Sequence, residues 1–207
     1  MVLQGLLLVP TKRLWMKKYV EVYSRDTVPI KNSYLVHRDL NIFAGEYPGD
    51  KDDNKCRIKV QDVFCWSRFR YFYDLTCEGE LRPYAQYLKN GKCHFRFPIP
   101  DCGTPANTYI VARLVDEIIY RGKNGDYQYD CIYIHCWGGV GRTGTIVACL
   151  YAYLLKDKGM STEEIYTKAM RQLNESFSRN PKSKHRVSPE NEMQRAFVRK
   201  FIENECK

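Results

Sequence analysis

Apolar residues fall along this chain in two rhythms. Cys131-Ile132-Tyr133-Ile134 is an unbroken apolar run, as expected of a strand covered on both faces. Tyr71-Phe72-Tyr73-Asp74-Leu75 and His94-Phe95-Arg96-Phe97, the latter ended by Pro98, read as two further strands. Leu40-Asn41-Ile42-Phe43 is a fourth, closed by Gly45 and the turn Pro48-Gly49-Asp50.

Between these runs the spacing becomes helical. Asp52 or Asp53 caps a helix carrying Ile58, Val63, Phe64 and Trp66. Thr104-Pro105 opens a second, with Ile110, Val111, Leu114, Ile118 and Ile119 along one face and Gly122 as its stop. From about Thr143 to Lys156 the chain is apolar on every side, which predicts a buried helix. Ser161-Thr162-Glu163-Glu164 is a capping box. Ser188-Pro189-Glu190 opens a last helix with Ala196, Phe197, Phe201 and Ile202 as its buried stripe. Strands alternating with helices predict an α/β fold, a central, mostly parallel sheet flanked by helices on both faces. No linker, repeat or low-complexity segment divides the chain. Residues 1–207 therefore read as a single domain, with 1–35 as an N-terminal arm or extension.

Composition narrows the setting. The longest apolar run, Ile146 to Leu155, is far short of the ~20 residues that cross a bilayer, so no transmembrane segment is expected. The apolar start, Met1 to Val9, lacks a preceding basic residue, and Pro10-Thr11-Lys12-Arg13 is a poor cleavage site. It reads as a strand or arm rather than a signal peptide. Nine cysteines occur with no Cys-x-x-Cys and no zinc-like spacing to the four histidines. Reduced thiols in a cytoplasmic or nuclear monomer are expected. The 33 Lys and Arg exceed the 24 Asp and Glu, for a net charge of +9, which favours polyanionic partners.

The candidate chemistry lies in His135-Cys136-Trp137-Gly138-Gly139-Val140-Gly141-Arg142-Thr143-Gly144-Thr145, between a buried strand and a helix N-terminus. That position offers unpaired N–H groups and the positive end of a helix dipole, and glycines let successive N–H groups surround an anion. A cysteine facing that field is expected to ionise readily. Arg142 adds a planar fork suited to two phosphate oxygens. Gly139-x-Gly141-x-x-Gly144 also matches the dinucleotide fingerprint, but no later strand offers an acid for a ribose. Thr145 stands where a nucleotide-binding P-loop needs lysine. A purely structural glycine turn leaves the arginine inside it unexplained.

His-Cys-x5-Arg-Thr-Gly resembles the signature of the cysteine-based protein tyrosine phosphatase superfamily, and its Trp-Gly-Gly filling is similar to the compact dual-specificity and kinase-associated phosphatase branch. The resemblance runs from about Ile42 to Phe201. It takes in Ala44-Gly45-Glu46-Tyr47-Pro48-Gly49, Asp74-Leu75-Thr76, Ile99-Pro100-Asp101 and Ser188-Pro189-Glu190 with Gln194. It implies a tyrosine phosphatase-like fold and a cysteinyl-phosphate mechanism.

Within it Cys136 is the nucleophile, and Trp137 to Gly141 with Arg142 bind phosphate. Asp101, between Pro100 and Gly103, is the general acid and base, with Asp74 and Asp130 as weaker alternatives. The resemblance also implies that Thr143 bonds the sulfur, that His135 supports the loop, and that Gln194 positions the hydrolytic water. On spacing alone Gln194 could equally be an exposed residue. The basic stretch Arg179 to Arg186 is either a solvated loop or a rim of the site. Cys77 and Cys102 are candidates to trap an oxidised Cys136 as a disulfide.

No cofactor or metal is called for, because Arg142 and main-chain donors supply the positive field. The expected substrate is a phosphorylated protein bearing phosphotyrosine and also phosphoserine or phosphothreonine, with no obligatory nucleic acid. The signature loop has no lysine to meet extra phosphates, which ranks phosphoinositides second. RNA 5'-triphosphate ends and a non-catalytic phosphate-binding adaptor are the remaining alternatives.

Overall fold

The computed structural model describes residues 27–64, 68–89, 91–126 and 130–206. Most of the arm, Trp66 and the apolar start lie outside the described residues. Strands β1 (Ser33–His37), β2 (Ile42–Gly45), β3 (Phe69–Asp74), β4 (Cys93–Arg96) and β5 (Cys131–His135) form one sheet in the order β1-β2-β5-β3-β4. All pairings are parallel except β1 with β2, so β1 is an antiparallel edge. The arm drawn at 1–35 therefore gives its last residues to a strand. Ser33 to Val36 are all buried, and that burial is set by packing on β2 rather than by any alternation in the sequence.

Among the described residues five helices cover the sheet: α1 (Asp53–Phe64), α2 (Thr108–Asn124), α3 (Gly141–Tyr153), α4 (Thr162–Phe177) and α5 (Glu192–Glu205). The strands sort their side chains by period two. Ile42, Ala44, Ile132 and Ile134 join a large core with α2 to α5, whereas Phe43, Cys131 and Tyr133 join a second core with Cys56, Val60 and Phe64 of α1. Helix α3 lies inside, with every residue from Gly141 to Ala152 buried. The capping box at Ser161 and Glu164 forms as expected, and Asp52 caps α1 by accepting from Lys55 N at 2.9 Å.

Several local expectations are corrected. Helix α2 begins at Asn107, whose side chain accepts from Ile110 N, rather than at Thr104, and this turns Ile110 outward. Gly122 does not stop α2: a Cβ there would lie 2.8 Å from Leu40 O, so it is a point of close approach between the helix and the turn joining β1 to β2. In α1, Ile58 faces solvent. Asn191 caps α5, reciprocated by Gln194, and Val198 takes the buried place expected of Ala196.

Candidate active site

The C-terminal ends of the central strands converge, with Gly45 of β2 and Asp74 of β3 both register partners of His135 in β5. The loop from β5 to α3 starts there, at the edge of a parallel sheet where α/β folds place their ligands. The carbonyls of Cys136, Trp137, Gly138 and Val140 are each held by a donor from outside the loop, and that of Gly141 by Thr145 within α3. His135 Nδ1 lies 3.3 Å from Cys136 O, Tyr47 N donates to Trp137 O at 3.0 Å, and Lys182 Nζ donates to Gly138 O at 2.9 Å. Ser188 Oγ donates to Val140 O at 2.8 Å and Thr145 Oγ1 to Gly141 O at 3.0 Å. Because each peptide is planar and trans, a carbonyl held outward turns the next N–H inward. The result is a nest of amides above Cys136, one of which, Gly139 N, donates to the sulfur at 3.3 Å.

Gly139 reaches this shape only with φ +71°, and a Cβ on it would collide with the Gly45 carbonyl and Glu46 N. Cys136 is 3% exposed at the floor of a cleft of about 400 Å³. Of the sequence-derived residues, Asp101, Trp137, Gly138, Val140, Gly141, Arg142 and Gln194 line that cleft with it, as does Cys102, whereas Gly139, Thr143 and His135 do not.

Arg142, buried to 2% exposure, is held by more partners than sequence reasoning found. Its Nη1 donates to Glu80 Oε2 at 2.8 Å and to Ile99 O at 3.0 Å, and its Nη2 donates to Glu80 Oε1 at 2.6 Å. Asp101 Oδ1 lies 2.8 Å from the same Nη2. The Arg142 hydrogen bonds, opposed by partial burial, hold the Glu80 carboxyl below its ordinary range. Glu80 lies in a turn, and nothing in its local sequence marks it.

Behind the loop, His135 is fully buried, with Nε2 2.7 Å from Tyr84 OH. Burial pushes its pKa down to about 4, against the opposing pull of Asp74, so the ring is neutral at neutral pH. Asp74 caps the turn after β3, accepting from Thr76 N at 2.9 Å and from Thr76 Oγ1 at 2.6 Å, with His94 Nε2 at 3.3 Å. Burial raises its pKa, yet the hydrogen bonds from His94 and Thr76 outweigh it and hold the carboxyl well below the usual range. Asp130 instead pairs with Arg70 at 3.0 Å and does not line the cleft.

Thr143 Oγ1 is buried with no hydrogen-bond partner, so its expected bond to the sulfur is not formed here. Gln194 is fully buried, not on the surface. Its Oε1 accepts from Glu190 N at 3.0 Å, and its Nε2 donates to Gly103 O at 3.2 Å beside Gly141. The basic stretch is a rim: Lys182 joins Glu46 at 2.9 Å, and Arg186 lines the cleft, paired with Glu190. Cys102 is on the cleft wall, while Cys77 lies on the Glu80 turn, its N–H bonded to that carboxylate at 3.0 Å.

Comparison with known proteins gives the same grouping. The model of the Swiss Army Knife protein, DSP-PTPase phosphatase domain, matches residues 33–194. A protein of invertebrate iridescent virus 3 named as a tyrosine phosphatase, 067L, is 36% identical over 89 residues, which are 41% of this chain and 35% of that protein. Rat cyclin-dependent kinase inhibitor 3 is 33% identical over 95 residues, 46% of this chain and 41% of that one. The matched segments thus span well under half the length of these curated relatives. Among solved structures, kinase associated phosphatase aligns with a TM-score of 0.59 at 22% identity, covering 86% of this chain and 97% of its own. The likeness in structure concerns the fold. Among the described residues no helix is long and apolar enough to cross a membrane.

Proposed function

The chain belongs to the Swiss Army Knife protein, DSP-PTPase phosphatase domain family, and from that premise we propose that it hydrolyses phosphotyrosine and phosphoserine or phosphothreonine in proteins through a cysteinyl-phosphate intermediate. The observation that carries this reading is the set of held loop carbonyls beside a cleft that Cys136 and Arg142 both line, with the Gly139 amide donating to the sulfur. Such preorganised donors stabilise charge on the transferring phosphoryl oxygens.

In the first step the Cys136 thiolate attacks phosphorus, the S–P bond forms and the P–O bond to the substrate breaks. Asp101 gives its proton to the leaving oxygen. In the second step the Asp101 carboxylate takes a proton from water, whose oxygen displaces the sulfur as thiolate. Thr143, with its unused hydroxyl, serves that departing sulfur, and Gln194, anchored beside Gly141, positions the water. His135 supports the loop as a neutral ring rather than moving protons.

A reducing cytoplasmic or nuclear site of action and a monomeric state complete the reading; the odd number of cysteines with no Cys-x-x-Cys favours the reducing setting. The test is a panel of phosphotyrosine and phosphothreonine peptides, a phosphoinositide and an RNA 5'-triphosphate, each with Cys136→Ser as control. Peptide hydrolysis that vanishes in the variant is expected. Turnover of the lipid or RNA alone, or phosphate binding without turnover of any substrate, would overturn it.

A further inference from the structure

A second cleft, of about 320 Å³, opens beside the first. The two share Glu46 and Trp137, so the Trp137 indole, 49% exposed, forms the ridge between them. Tyr47 and Leu81 supply apolar wall, and Lys51, Lys59 and Arg82 supply positive charge. Two carboxylates also line the cleft, of which Glu46 is paired with a lysine outside it and Asp50 caps its own turn, so among the described residues three cations face one unpaired carboxylate. Glu46 is held by Lys182 Nζ and Asn32 Nδ2, each at 2.9 Å, and Asp50 accepts from Asp52 N at 3.0 Å.

The cations retain donors. Lys59 Nζ gives one N–H to Gly49 O at 3.1 Å, which leaves two of its three. Lys51 Nζ stands 5.8 Å from the centre of the Trp137 ring. Arg82 uses Nε on Lys51 O and Nη1 on Asp53, and among the described residues its Nη2 makes no hydrogen bond. Donors of this kind, set on a partly apolar wall, fit an anionic group carried on a carbon chain.

We propose that this cleft binds a second phosphorylated residue of the same polypeptide whose first phosphorylated residue stands over Cys136. The inference rests on the phosphatase reading above and narrows its substrate class to multiply phosphorylated segments. Two basic clefts divided by an aromatic ridge suit two phosphates separated by a stretch of backbone lying across Trp137. A phosphorylated inositol ring presents its phosphates on one small rigid body, a poorer match to sites on either side of a wall.

Paired peptides test this, identical except for a second phosphorylated residue placed at successive positions on either side of the target. For at least one spacing, kcat/KM should exceed that of the singly phosphorylated parent by about tenfold, carried by KM, the effect expected of charge-assisted hydrogen bonds. The double variant Lys51→Ala/Lys59→Ala should erase the gain and leave hydrolysis of the parent peptide unchanged. Equal rates for every pair, a gain that survives the double variant, or the same gain from glutamate in place of the second phosphorylated residue would overturn the proposal.

A bisphosphorylated inositol headgroup that shows the Lys51/Lys59 dependence when the peptides do not would also overturn it. Binding separates this inference from the catalytic one. In Cys136→Ser, the doubly phosphorylated peptide should still bind more tightly than its parent, whether or not the wild-type protein turns either over, and equal binding would defeat the proposal.

Discussion

The carboxylate of Asp101 stands 2.8 Å from the Arg142 guanidinium and shares Nη2 with Glu80. An entering phosphate must compete for that nitrogen with the residue assigned to protonate its leaving group. Removing the charge separates the two effects. Asp101→Asn should lower kcat on ordinary phosphoesters by roughly a hundred- to a thousandfold, while inorganic phosphate becomes a tighter competitive inhibitor. Steady-state rates and inhibition constants measure both. Unchanged turnover or weaker phosphate inhibition would count against the assignment.

Glu80 holds both terminal nitrogens of Arg142. Replacing it with glutamine keeps the shape but loses the charge and one acceptor. Glu80→Gln should lower kcat/KM roughly ten- to a hundredfold through misplacement of the guanidinium, with phosphate binding weakened in parallel. Wild-type kinetics in this variant would show that Ile99 O and the loop suffice to hold Arg142.

Gly139 is the loop residue that cannot accept a side chain, both for its φ of +71° and for the nearby Gly45 carbonyl. Gly139→Ala should destabilise the fold by about 1–3 kcal/mol and abolish phosphate binding, since the loop must open to admit the methyl. Denaturant midpoints and phosphate titration report the two effects. A stable, fully active variant would mean that the loop shape is not required.

Acid should destabilise the protein through the groups behind the loop. His135 has a folded pKa lowered to about 4 from 6.5, so between these values the unfolded chain binds a proton that the folded one refuses. Its contribution is present above pH 6.5, is lost as pH falls toward 4, and amounts to roughly 3 kcal/mol. Asp74, also depressed, loses its contribution at still lower pH. The Tm should therefore fall as pH drops from 7 to 4, less steeply in His135→Gln. Equal slopes in the two proteins would remove His135 from the account.

What the sequence revealed depended on locality. The β5 run, the span from Cys136 to Arg142, Asp101 and the Ser161 capping box each carry their reason within a few neighbouring residues, and all were legible. Glu80 and Tyr84 were not, because their value arises only when the segment after β3 folds beneath Arg142 and His135. Strand β1 was hidden for a similar reason, being an edge buried by β2 and by Phe177 of α4 rather than by its own pattern. The two misjudged boundaries of α2 followed from rules that are sound in isolation. Asn107 capped the helix better than Thr104, and Gly122 answered to Leu40 across the interface.

The most direct test of the account is rapid-quench mass spectrometry of the protein during turnover of a phosphopeptide. The peptide containing Cys136 should carry one phosphoryl group transiently, formed before product phosphate and missing in Cys136→Ser. Phosphate released with no such adduct at any quench time, or an adduct on another residue, would contradict it.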